Sequence, residues 1–168
     1  MTEQNQIQRY IASIQNSIDK MVEICEGLSE EVLRFKPSEE EWSIVQVLSH
    51  VNEATPYWLG EVERVVANPG VEWGRTLQDP ARLAAVADPD SLSVKELLSG
   101  LKAQREKVAE VLGRLTEEQL SIESPHRNFA KFGYKPVSFI ISHFIDEHIA
   151  GHIEQIKRNL TKYEKVKS

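Results

Sequence analysis

The sequence predicts an all-α fold, an antiparallel four-helix bundle with long loops between helices two and three and between helices three and four. Three observations carry that expectation. Apolar residues recur at steps of three and four in four separate segments, no segment shows the alternation of a half-buried strand, and two stretches punctuated by proline and glycine separate the later helices. At 168 residues the chain is long enough to bury one core, and a single bundle domain over residues 1–168 is expected.

A first helix is expected over residues 3–27, because Ile7, Ile11, Ile14, Ile18, Met21, Cys25 and Leu28 step by four and three along one face. A linker with Pro37 and several acidic residues leads to Trp42. A second helix over residues 43–67 then carries Ile44, Val47, Leu48, Val51, Ala54, Trp58, Val62 and Val65. Pro56 lies inside it and has no N–H to offer the carbonyl of Asn52, so a bend is expected just beyond His50. Between Asn68 and Ser93 the periodicity fails and Pro69, Gly70, Gly74, Pro80 and Pro89 punctuate the chain. That connection of about 25 residues is longer than bundle loops usually are, and such loops tend to be lids or binding segments.

Ser93 with Glu96 reads as a capping box opening a third helix, which continues through Val94, Leu97, Leu98, Leu101, Val108, Val111, Leu112 and Leu115. Gln104 and Arg105 interrupt its stripe. The simpler reading has both flanking the seam and facing outward; the sharper one has either of them reaching a polar site inside the bundle. Residues 121–135 are expected to be irregular, and Pro136 suits the first turn of a last helix running to about residue 163. Its inner stripe reads Ile141, Phe144, Ile145, His148, His152, Ile156 and Leu160.

A formal charge of −6 without clustered Lys and Arg argues against a nucleic-acid partner. The basic tail at residues 157–167 suits a helix C-terminus. No apolar run approaches the roughly 20 residues of a membrane helix, and residues 1–9 are polar where a signal peptide would be apolar, so a soluble cytoplasmic protein is expected. Cys25 is the lone cysteine and falls at an apolar helix position, which excludes an internal disulfide and suits core filling.

His148 and His152 stand four residues apart, which stacks them on one helix face within reach of a common ion. Their place in an apolar stripe strengthens the reading, because unpaired imidazoles are costly to bury. His50, three residues after Val47 and four before Ala54, offers a third nitrogen from the second helix. Gly151 between the pair suggests close approach by another group or tight helix packing. His143 shares a face with Glu147, Ala150 and Glu154 and is expected at solvent or a subunit boundary. His126, beside Pro125 and Arg127, is expected to be a solvated loop residue. Ile149 after His148 excludes the zinc-protease pattern, and Ile145 excludes the Glu-x-x-His of di-iron bundles. Three imidazoles without a carboxylate suit zinc, nickel, copper or iron(II) rather than magnesium or calcium. A bundle without metal, its imidazoles merely hydrogen-bonded, is the competing reading.

The sequence resembles the DinB/YfiT-like superfamily of four-helix metalloproteins. Trp42-Ser43 followed by His50 carries the resemblance, as do Phe132-Gly133 and the closing run Glu147-His148-Ile-Ala-Gly-His152-Ile-Glu-Gln155-Ile156. It implies that His50, His148 and His152 ligate a divalent transition metal, zinc or nickel ahead of iron, with Gln155 one turn away to orient a neighbour or line the cavity. It also implies a homodimer, and a thiol-dependent transferase or isomerase using a low-molecular-weight thiol, or a metal-dependent hydrolase.

Three protein ligands leave a coordination position open, the arrangement of a catalytic site, so a small-molecule substrate is expected. A bound cation also removes the need for a Ser or Cys nucleophile on the protein. Tyr57, Trp58 and Trp73 either wall the cavity or pack in the core. A non-catalytic metal-binding or stress-related module is the rival, marked by a fourth protein ligand such as His126 and no cavity beside the ion.

Overall fold

A computed structural model describes residues 6–167 of the chain; the expected helix start at residue 3 lies outside them. The elements in order are α1 (Gln6–Glu26), α2 (Glu30–Leu33), α3 (Ile44–Ala67), α4 (Pro80–Ala87), α5 (Val94–Gly113), β1 (Glu123–Pro125), α6 (Phe129–Phe132), β2 (Tyr134–Pro136), α7 (Val137–Phe139), a π-helical segment (Ile140–Asp146) and α8 (Glu147–Lys167). Four long helices form the bundle. α1 packs on α5 and α8, and α3 packs on the same two, so α1 and α3 lie on opposite sides of the α5–α8 pair.

The seam of α1 is the one its spacing predicts, with Ile7, Ile11, Ile14, Ile18, Met21 and Cys25 buried. Burial drives the Cys25 thiol pKa up to about 12, which leaves it inert. α3 opens with a full capping box, the Ser43 hydroxyl accepting from the Gln46 N–H while Gln46 Oε1 accepts from the Ser43 N–H. Every residue from 44 to 51 is buried, so this half of α3 has no solvent face.

The cover on its second side is α4, which falls inside the stretch expected to lack structure. Asp79 caps it through the Arg82 N–H, Pro80 occupies its first turn, and carbonyls at its end accept from Ser49 Oγ (Ala85, 2.6 Å) and Gln46 Nε2 (Val86, 2.9 Å). The Asp79-Pro80 start signal was present in the sequence, but a helix of eight residues is too short to show a period.

α3 continues through Pro56, and a polar side chain of α5 approaches the carbonyls exposed there. Gln104 is buried, not outward-facing, and its Nε2 lies 3.5 Å from the carbonyls of both Val51 and Asn52. The Asn52 carbonyl is the one a proline at 56 cannot serve. Arg105 does face outward, paired with Asp19 at 2.7 Å.

Residues 121–135 are more regular than expected. β1 and β2 form a two-stranded antiparallel sheet with Ser124 opposite Lys135, and Trp73 joins its edge through a parallel bridge to His126. The Trp73 N–H donates to the Pro125 carbonyl at 3.0 Å, and the Arg127 N–H donates back to Trp73 at 2.8 Å. Strands of three residues are too short to show alternation.

The last helix keeps its expected stripe at Ile141, Ile145 and Ile156 and departs from it at the other expected positions. The buried positions are Ile140, Ile141, Ile145, Ile149, Ile153, Ile156 and Asn159, so His148 and His152 flank the apolar stripe. A π-helical segment leads into the turns that carry the histidines, and such insertions favour functional sites.

Candidate metal centre

Two elements bring three imidazoles together. His50 projects from the buried first half of α3, and His148 and His152 from adjacent turns of α8. His50 Nε2 lies 2.9 Å from His148 Nε2, which lies 3.1 Å from His152 Nε2. One nitrogen from each falls within 4.8 Å of the other two, a group able to hold a metal ion. Ligands at 2.0–2.1 Å from one ion stand roughly 2.9 Å apart at right angles and about 3.4 Å apart at tetrahedral angles. The two close separations fall inside that window, so the donor set fits a divalent transition metal.

The surroundings fix the rings. Gln155 Oε1 lies 2.7 Å from His152 Nδ1, an acceptor that holds the proton there and leaves the Nε2 lone pair free. Trp42 stacks on His152 with centroids 6.3 Å apart and planes 18° apart, and tilts against His50 at 5.0 Å. Asn159 Nδ2 ties the Trp42 carbonyl to α8 at 2.9 Å. The Trp-Ser pair thus has two jobs, Trp42 covering the imidazoles and Ser43 starting the helix that carries His50. Nδ1 of His50 and of His148 has no hydrogen-bond partner among the described residues. Each such atom costs about 1–3 kcal/mol, which a few fully buried isoleucines at roughly 1.5–3 kcal/mol each can carry.

Burial holds all three imidazoles neutral, His50 pushed down to about 2 and His148 to about 3, with His152 also lowered; for His50 and His148 the neighbouring imidazoles add to the effect. A neutral imidazole is the form that binds metal.

Beside the cluster lies a cavity of about 280 Å³. Trp58, Phe144 and Leu77 supply apolar wall, and Arg75, Thr76 and Arg82 complete the lining with the three histidines. Neither arginine was singled out by the sequence, since both lie where periodicity fails. Arg75 is pinned by Glu53 (2.6 and 2.7 Å) and Asp79 (3.2 Å) and lies 4.0 Å over the Tyr57 ring. The segment bearing it is held by buried Glu61, which accepts from the Gly74 N–H at 2.7 Å.

The other aromatic and histidine candidates divide. Trp58 lines the cavity, Tyr57 supports Arg75, and Trp73 is fully buried, its Nε1–H donating to the Ser124 carbonyl at 2.8 Å. His126 is buried, not solvated. It packs against Trp73, Phe132 and Phe144, its Nδ1 accepts from the Asn128 N–H at 2.7 Å, and it stands outside the imidazole cluster. His143 is exposed as expected, 3.3 Å from Glu147. Gly151 is exposed with nothing near its missing side chain, so no close approach explains it. No helix among the described residues is long and apolar enough to cross a membrane.

Among solved structures, YfiT from Bacillus subtilis, described as a probable metal-dependent hydrolase with an unusual four-helix bundle topology, is similar to this chain with a TM-score of 0.75 at 14% identity. The match covers 96% of this chain and 91% of that one. At that identity the likeness establishes a shared four-helix bundle fold. No curated protein matches the chain at a significant level. The family model of the DinB superfamily matches residues 13–156, a span that includes all three imidazoles and Gln155, and the chain belongs to that superfamily.

Proposed function

We propose that His50, His148 and His152 hold one divalent transition metal and that the protein is a metal-dependent enzyme acting on a small molecule in the adjoining cavity. The observation that carries this reading is the convergence of three Nε2 atoms at the edge of a cavity with apolar walls. A cation held there lowers the pKa of a coordinated thiol or water and so supplies a nucleophile near neutral pH. The chain's own residues bind and orient. The three imidazoles grip, Gln155 fixes the tautomer of His152, Trp42 shields one side, and Trp58 and Phe144 receive the apolar part of a substrate.

Transfer of a low-molecular-weight thiol to an electrophile is the chemistry that suits the lining best. The lining residues include no carboxylate and their imidazoles all belong to the cluster, so a metal-bound water there would act without the general-base help that many metal hydrolases add. A thiol, with its lower pKa, needs no such base. Hydrolysis is the second reading, supported by the description of the similar YfiT structure. Elemental analysis of the purified protein, followed by a screen of electrophiles with and without added thiol, tests both. One metal per chain with thiol-dependent turnover is expected. Turnover without thiol would favour hydrolysis, and metal-free protein that takes up no zinc or nickel would remove the proposal.

A further inference from the structure

The cavity beside the imidazoles holds an unmatched positive charge. The guanidinium of Arg82 lines it and donates to the Leu77 carbonyl at 3.1 Å, and no carboxylate among the described residues is paired with that side chain. The candidates are already engaged: Glu53 binds both terminal nitrogens of Arg75, and Asp79 takes Arg75 and the backbone N–H of Arg82. Desolvation and the neighbouring Arg75 press against the charge on Arg82 while Glu53 offsets part of their effect, and with the net direction downward an anion bound there would be favoured.

The second arginine of the wall is fixed. The Arg75 side chain is only 5% exposed, and its Nε is buried with no hydrogen-bond partner. Clamped by two carboxylates and a tyrosine ring, Arg75 has its charge already matched, which leaves Arg82 as the cation this wall can offer a ligand. The rest of the wall, Trp58, Phe144 and Leu77, is apolar. At about 280 Å³ the space sits at the low end for small-molecule sites.

We propose that Arg82 is the specificity-determining residue of this cavity, selecting small substrates that carry a carboxylate on a compact apolar body. The proposal rests on the metal-site reading, because it takes this cavity for the substrate's. Arg82 reads one end of the molecule while the imidazole cluster faces the reacting end. A guanidinium–carboxylate contact in a partly buried site is directional and charge-assisted, whereas an isosteric amide would leave the guanidinium unmatched.

The test is calorimetric titration of 3-phenylpropionate and of its neutral amide, 3-phenylpropionamide. The proteins are wild type, loaded with zinc or treated with chelator, and the Arg82→Gln and Arg82→Lys variants, each with its metal content and thermal unfolding measured. Wild type should bind the carboxylate about tenfold more tightly than the amide whether or not metal is present, as expected for one charge-assisted contact. Arg82→Gln should bring the two ligands within about twofold of each other, and Arg82→Lys should keep part of the preference. Equal affinities in wild type, no binding of either ligand at millimolar concentration, or a preference that survives Arg82→Gln in folded protein would overturn the proposal. A preference that disappears with chelator but not with Arg82→Gln assigns the carboxylate to the metal, overturning Arg82's role and leaving the metal site standing. Failure of wild type to take up metal, with an Arg82-dependent preference intact, removes the metal reading alone.

Discussion

Gln155 Oε1 sits 2.7 Å from His152 Nδ1, one turn further along α8, and this contact decides which nitrogen of His152 faces the cluster. Replacing Gln155 by Leu removes the acceptor and frees the tautomer while leaving all three imidazoles in place. Loss of such an orienting partner typically weakens metal binding 10–100-fold. Competition titration against a zinc chelator should show that drop, whereas His148→Ala should eliminate stoichiometric binding. Unchanged affinity in Gln155→Leu would mean that packing under Trp42 alone orients the ring.

Metal removal should cost stability. A ligand that binds only the folded chain stabilises it by mass action, about 2.7 kcal/mol at a hundredfold excess over Kd. Chelator should therefore lower the melting temperature of the purified protein, and added zinc or nickel should restore it. His148→Ala should be insensitive to either treatment, and a wild type equally insensitive would count against the site.

The pH dependence of the metal-free protein has a definite sign. His50 and His148 titrate near 2 and 3 in the fold, against about 6.5 when unfolded, so the unfolded chain binds more protons throughout that interval. Stability is therefore fully present above pH 6.5 and is lost as pH falls, by about 1.4 kcal/mol per pH unit for each imidazole at full slope. Urea midpoints of chelator-treated protein should fall steeply from pH 7 to pH 5, and the double variant His50→Gln, His148→Gln should show a flatter profile. Equal slopes would mean that the imidazoles titrate freely.

The helices and the His148–His152 pair were legible in the sequence because each rests on local spacing, and His50 joined them through its place on the α3 stripe and the resemblance to the DinB/YfiT-like superfamily. The α1 seam and the His148–His152 pair depend on nothing beyond one turn of helix, and His50 sits at a predictable point on α3. The misplaced features depend on tertiary context. In α8 both His148–His152 and Ile149–Ile153 fit an i, i+4 stripe, and spacing alone does not say which pair faces the core. Gln104 looked like a surface residue because the carbonyl it approaches lies on another helix. Arg75 and Arg82 occupy a stretch held by Glu53, Asp79 and Glu61, contacts between segments that no periodicity announces.

Gly74 should tolerate no side chain. Its φ is +92°, and a Cβ there would lie 2.6 Å from His126 Nε2. Backbone strain of roughly 1–3 kcal/mol adds to the displacement of a ring wedged among Trp73, Phe132 and Phe144. Gly74→Ala should lower stability by about 2–4 kcal/mol, and because the next residue is Arg75 it should also disturb the cavity. Pairing it with His126→Ala removes the clash and leaves the strain, so denaturant titration of the double variant should show a smaller penalty for the alanine than the wild-type background does.

Gln104 and Pro56 should be coupled across the α3–α5 interface. The proline deprives the Asn52 carbonyl of its helical partner, and Gln104 Nε2 approaches that carbonyl and its Val51 neighbour at 3.5 Å, while Gln104 Oε1 is buried without a partner. Gln104→Met therefore removes a long, weak hydrogen bond and an unsatisfied acceptor at once. The two effects are of similar size, each about 1 kcal/mol, so the substitution alone should shift stability little. In a Pro56→Ala background the backbone N–H returns to the Asn52 carbonyl, and Gln104→Met loses its cost while keeping its gain. A double-mutant cycle by urea denaturation should accordingly find the methionine more favourable by about 1 kcal/mol when residue 56 is alanine. A coupling of zero would show that Asn52 needs no help from α5, and that Gln104 is buried there for packing alone.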